Sequence, residues 1–173
     1  MHKVANLFPG QGAQYVGMGL DFFKTFSAAR EVFQEANELL QTNFSELIFE
    51  GPAEDLLVTE NCQLSILVVS IAILRVIENQ FPALRPQFCA GLSLGEYSAL
   101  CASGYLSFAE TLLLARKRAQ LMLLACEKNP GSMAAVLGME SEQLKGLLLE
   151  KQQKQGFRFG RLISMRRGKL SFP

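Results

Sequence analysis

Cys89-Ala90-Gly91-Leu92-Ser93-Leu94-Gly95-Glu96-Tyr97 is the stretch on which the reading of the fold turns. It continues a short apolar run, Gln87–Ala90, and leads into Ser98-Ala99-Leu100, so the order is strand, tight turn, helix. A Gly-x-Ser-x-Gly in that setting puts the serine on a sharp turn with its hydroxyl exposed, and the flanking glycines remove side chains that would collide. The first N–H groups of the following helix face the place where a tetrahedral oxyanion forms, which makes the Leu94 N–H a candidate donor. Ser93 is the candidate nucleophile. A plain glycine-rich turn is the alternative, and the neighbours Cys89-Ala90 and Glu96-Tyr97 favour the nucleophile.

Toward the N-terminus, Val4–Phe8 is a second apolar run, stopped by Pro9-Gly10, in the form of a buried strand entering a loop. That loop, Gly10-Gln11-Gly12-Ala13-Gln14, leaves the end of a strand, where open α/β sheets gather their active-site loops. Its glycines let backbone approach a ligand, and the Gln11 N–H can complete an oxyanion pair with Leu94. It lacks the Gly-x-x-x-x-Gly-Lys and dinucleotide fingerprints, which argues against a nucleotide loop.

The remaining chain reads mainly as helix. Residues 20–40 have helical spacing, with Ser27 as a cap and Glu31 near the first turn. Gly51-Pro52 precedes a short acidic helix, Ala53–Leu57, and Asn61–Asn79 is an almost wholly apolar helix expected at the centre of the core. Its most hydrophobic segment, Leu64–Leu74, has 11 residues before Arg75, short of the about 20 that cross a bilayer. Ser107–Cys126 is a second long helix; Ser132–Gly138 then reads as a strand and Ser141–Gln155 as a helix capped by Ser141. From Gly156 the periodicity disappears.

Composition narrows the function classes. The net charge of +1 over 173 residues, with no run of interleaved basic and aromatic residues, argues against nucleic acid as partner. Residues 156–173 hold five basic side chains and no acid, leaving the preceding residues at −4. Cys62, Cys89, Cys101 and Cys126 lie in apolar stretches without a Cys-x-x-Cys pair, which argues against a disulfide framework and a zinc site and fits reduced, cytoplasmic thiols. The N-terminus lacks the apolar core of a signal peptide. A soluble cytoplasmic protein with no membrane segment and no metal is expected.

Phe8-Pro9-Gly10-Gln11-Gly12-Ala13-Gln14, Glu60-Asn61-Cys62-Gln63 and the Ala90–Leu100 segment, in that order and spacing, resemble the malonyl-CoA:acyl carrier protein transacylases. The resemblance covers about residues 3–150, including Gly131-Ser132-Met133-Ala134-Ala135-Val136. It implies an α/β fold: an α/β-hydrolase-like core with a parallel sheet, and a small ferredoxin-like subdomain. Ser93 would take the malonyl group of malonyl-CoA as an ester and pass it to the pantetheine thiol of acyl carrier protein, with no further cofactor. By the same resemblance the backbone N–H groups of Gln11 and Leu94 form the oxyanion hole, Gln63 supports the site and Arg118 reads the substrate. A guanidinium fork suits that task, because malonyl differs from acetyl by a free carboxylate. Arg116 and Lys117 are read as solvated charges. Leu92 stands where the family commonly has a histidine that is not the base, and Leu64 where proline often follows the glutamine.

The family's base histidine comes from a region that is not recognisable beyond about residue 156. The only histidine is His2; if the first strand runs parallel to the one before Ser93, His2 lies at its far end, more than about 20 Å from Gln11 in fully extended chain at about 3.3 Å per residue. The expected layout is therefore an acyltransferase core over 1–127, the start of the ferredoxin-like unit over 128–156 and a basic tail over 157–173, as in a truncated or frame-shifted transacylase with impaired turnover. Another serine acyltransferase or hydrolase, and a non-catalytic fragment that binds carrier protein, remain open.

Overall fold

The computed structural model of the chain describes residues 3–128, 136 and 139–155. It divides into two compact units, Met1–Pro130 and Gly131–Pro173. In the first unit the order is β1 (Ala5–Phe8), α1 (Leu20–Thr25), α2 (Ser27–Leu40), α3 (Phe44–Glu50), α4 (Ala53–Leu57), α5 (Thr59–Gln80), β2 (Phe88–Gly91), α6 (Gly95–Ala102) and α7 (Phe108–Lys128). In the second, α8 (Ser141–Gln155) is described. His2, the expected strand Ser132–Gly138 as a whole, the Ser141 side chain and the tail from Gly156 lie outside the described residues.

The α/β class holds in a helix-rich form: among the described residues the sheet has two strands, β1 and β2, paired in parallel with Phe8 opposite Gly91. Parallel pairing brings the C-terminal ends of both strands to one edge. The loop after β1 and the turn after β2 therefore emerge side by side.

The core is built on α5. Its 22 residues exceed the apolar run within it, and by length and composition the helix could cross a bilayer, yet two thirds of that apolar window is buried inside the unit. Leu67 and Ile71 are completely enclosed. Each such side chain contributes about 1.5–3 kcal/mol of transfer free energy. Helix α2 packs Ala29, Val32, Phe33 and Ala36 into the same cluster, and α7 brings Leu112 and Ala115. Phe23, Phe33 and Phe49 join α1, α2 and α3 through ring contacts of 4.9–5.6 Å.

Two local expectations are corrected. Ser27 is the first residue of α2 rather than its cap; extended Phe26 holds the cap position without a side-chain bond. The break there is sealed instead by Arg30, whose guanidinium reaches back to the Phe23 and Lys24 carbonyls at 3.2 and 3.1 Å, groups left open where a helix ends. Helix α3 had no counterpart in the sequence reading. Buried Ser45 anchors it, taking 2.9 Å hydrogen bonds in both directions with Asn37.

Candidate active site

Ser93 has φ 55°, in the left-handed region that non-glycine residues rarely adopt. Strain of this kind persists only where the surroundings over-determine it, and the glycines show how. A Cβ on Gly91 would lie 2.0 Å from the Gly95 carbonyl, and one on Gly95 would lie 2.3 Å from the Phe8 oxygen. The elbow is folded so tightly onto itself and onto the end of β1 that neither position has room for a side chain. Ser93 stays exposed at the tip, while Leu94 is completely buried and anchors the first turn of α6.

The β1 loop lies against this elbow. The Leu92 N–H donates to the Phe8 carbonyl at 3.3 Å, and a Cβ on Gly10 would come within 2.7 Å of the Leu92 oxygen. Gln11, the next residue, is exposed beside the serine turn. Neither the Gln11 nor the Leu94 N–H donates a turn or loop hydrogen bond to another described backbone group. From below, Cys62 in α5 meets the loop: burial pushes its thiol above the ordinary range, opposed by the Gly12 N–H. A thiol raised in this way stays protonated at neutral pH, a poor nucleophile.

Gln63 and Arg118 complete the cluster. Gln63 is fully buried on α5, and its side-chain oxygen accepts a hydrogen bond from the Arg118 guanidinium on α7. Its amide in turn reaches the Met122 sulfur at 3.5 Å. The second terminal nitrogen of Arg118 donates to the Ser93 hydroxyl at 2.7 Å. Arg118 also stands over the Tyr97 ring, 5.7 Å from its centroid, within cation–π range. Ser93, Gln63, Arg118 and, beside them, Gln11 and Leu94 are thus gathered from four places in the sequence.

Sequence reasoning missed part of this support. Arg116 is not a free solvated charge, because its Nε pairs with Glu60 at 2.8 Å between α7 and α5. Tyr97, four residues past the serine, carries no local signal of its place under the Arg118 guanidinium. The signal for Glu60 lay in helical spacing, since positions 60 and 63 share a face of α5; the partner helix was not assignable from the chain alone.

Chemically, the cluster offers an exposed hydroxyl on a strained turn, two loop N–H groups beside it and one fixed cation. Among the described residues no cluster of three or more metal-ligating side chains occurs.

Residues 6–148 match the acyl transferase domain family. The malonyl CoA-acyl carrier protein transacylase of Bacillus subtilis (strain 168) is 48% identical over 145 residues, 84% of this chain and 45% of that protein. An acyl-carrier-protein-S-malonyltransferase from Bartonella henselae superposes with TM-score 0.77 at 36% identity, over 88% of this chain and 49% of its own. A malonyl-transacylase solved in complex with its type II PKS acyl-carrier protein gives TM-score 0.78 at 34% identity, over 88% and 49%. The chain spans about half the length of the relatives it matches.

Proposed function

Given that the chain belongs to the acyl transferase domain family, we propose that it carries the serine side of a malonyl-CoA:acyl carrier protein transacylase site, acting in the cytoplasm. The observation that carries this reading is the Arg118 fork, held on Gln63 and aimed at Ser93. An esterase for simple acyl groups has no use for a cation beside its nucleophile, whereas a malonyl carboxylate accepts two charge-assisted hydrogen bonds from a guanidinium.

In the proposed reaction the Ser93 oxygen bonds to the thioester carbon of malonyl-CoA. The Gln11 and Leu94 N–H groups stabilise the resulting oxyanion. The carbon–sulfur bond breaks, CoA leaves as its thiol and malonyl remains on Ser93 as an ester. The pantetheine thiol of acyl carrier protein then attacks that ester, forming a new thioester and restoring the serine hydroxyl. Splitting the transfer in two avoids a ternary encounter. Malonyl-CoA is substrate here, and the scheme calls on no further cofactor. In the same reading the core is α/β-hydrolase-like, and residues 128–156 begin a ferredoxin-like unit.

Ser93 must give up its proton, and the described residues contain no histidine, the single one of the sequence, His2, lying outside them. Turnover by this chain alone is therefore expected to be slow. The test separates transfer from hydrolysis: malonylated chain, freed of malonyl-CoA, is mixed with acyl carrier protein bearing its pantetheine thiol. Release of malonyl onto the carrier faster than into water supports a transferase. Equal loss to water with and without carrier identifies a hydrolase and overturns the reading.

A further inference from the structure

The Arg118 guanidinium, carried on α7, is held from the neighbouring elements by neutral groups. Buried Gln63 on α5 accepts from one of its nitrogens, the Ser93 hydroxyl accepts from another at 2.7 Å, and the Tyr97 ring on α6 lies 5.7 Å from its central carbon. None of the described ion pairs, Arg75–Glu78, Arg116–Glu60 and Lys145–Glu142, involves Arg118. Charges withdrawn from water are ordinarily paired with an opposite charge. Pairing at this place would neutralise the charge on offer to a substrate anion.

An aromatic face holds a cation differently. Its quadrupole attracts the charge through the π cloud rather than through a lone pair. The ring therefore steadies the guanidinium and leaves its N–H donors for a carboxylate, which needs two of them side by side. The ring itself is rigidly placed. Tyr97 lies in the first turn of α6, its N–H donates to the Leu94 carbonyl at 2.9 Å, and Leu94, Gly95, Ser98 and Ala99 around it are buried. The serine elbow leads straight into that turn, so the nucleophile and the ring move as one element.

We propose that Tyr97 is a positioning residue for substrate choice, its ring face holding the uncompensated Arg118 guanidinium ready for an acyl group that ends in a carboxylate. This rests on the reading of Arg118 as the malonyl clamp. Tyr97 touches neither the thioester nor the oxyanion in that scheme, and its effect is confined to acyl groups with a free carboxylate.

The experiment is calorimetric titration of the full chain carrying Ser93→Ala, so that no acyl transfer consumes the ligand, with malonyl-CoA and with acetyl-CoA. Tyr97→Phe keeps the ring face and should keep the malonyl preference within about twofold, whereas Tyr97→Leu should lower it about 3- to 30-fold, the range of cation–π attraction from exposed to desolvated sites. Acetyl-CoA affinity should be the same in all three, which a general loss of packing would not leave untouched. Phenylalanines with one, two and three ring fluorines at position 97 remove π density at nearly constant size, and the preference should fall stepwise along that series. The series also serves if Tyr97→Leu fails to fold, which helix content by circular dichroism reports. A preference that survives Tyr97→Leu, stays flat along the fluorinated series, or falls only together with acetyl-CoA affinity would overturn the proposal while leaving the clamp standing. Equal affinity for the two thioesters with Tyr97 in place would instead overturn the clamp reading, and this proposal with it.

Discussion

The Arg118 guanidinium donates to the Ser93 hydroxyl at 2.7 Å while its other terminal nitrogen is held by buried Gln63. The cation is therefore fixed at the Ser93 hydroxyl. In the proposed reaction a malonyl carboxylate would compete with Ser93 for the same N–H, and binding it would release a lone pair of the serine oxygen toward the thioester carbon.

Arg118→Ala is expected to reduce the preference for malonyl-CoA over acetyl-CoA by about 10- to 100-fold, the worth of about 1.5–3 kcal/mol for hydrogen bonds to a charged group. Arg118→Lys keeps the charge but not the fork and should recover only part of that preference. Arg116→Ala, which removes a part-exposed ion pair with Glu60, should leave the preference intact and change stability by no more than about 1 kcal/mol. The measurement is the ratio of initial acylation rates with the two thioesters. An unchanged ratio in Arg118→Ala would sink the clamp assignment.

The elbow makes a steric prediction. Gly91→Ala and Gly95→Ala push a methyl to 2.0 and 2.3 Å from backbone atoms of the turn and of β1, so the strands and the serine turn cannot both keep their places. Gly104→Ala meets nothing within 4 Å and incurs only the cost of φ +76°, about 1 kcal/mol. Urea midpoints should fall far more for the first two than for the third. Equal midpoints would contradict the close packing of β1 against the elbow.

A pH effect follows from the start of α7. The Ser107 N–H and hydroxyl donate to Glu110 at 2.8 and 2.6 Å, and the Glu110 N–H returns a bond to the Ser107 oxygen at 3.2 Å. This is a reciprocal capping box. The Ser107 hydroxyl first, then its N–H, holds the Glu110 carboxyl below its ordinary value of 4.5. A depressed folded value stabilises the protein above the unfolded value and ceases to as pH falls through the folded one. The stability gap between the native chain and Glu110→Gln should accordingly be full at pH 7 and close in acid. A gap that widens on acidification would reverse the assignment.

What the sequence disclosed divides along physical lines. The Gly91–Gly95 turn was legible because each residue has a local reason, and so were the two strands, whose ends the elbow and Pro9-Gly10 mark; their parallel pairing was implied only by the resemblance. The apolar run centred on Leu67 marked the core helix. Arg118 was found through resemblance, since a cation on a helix has no local signature. The Glu60–Arg116 pair, the Tyr97 ring under the guanidinium and the Arg30 seal between α1 and α2 were not legible, because each depends on which helix faces which. Helix α3 was overlooked because at seven residues it is too short to show a period, and its anchor, the Asn37–Ser45 exchange, is a tertiary contact.

The central claim is that Ser93 is the acyl acceptor, and intact-mass analysis of the chain incubated with malonyl-CoA, followed by peptide mapping, tests it most directly. The account predicts a single malonyl ester, formed slowly, mapping to Ser93 and absent from Ser93→Ala. An adduct that survives Ser93→Ala, one that maps to another residue, or no adduct on the native chain would contradict it.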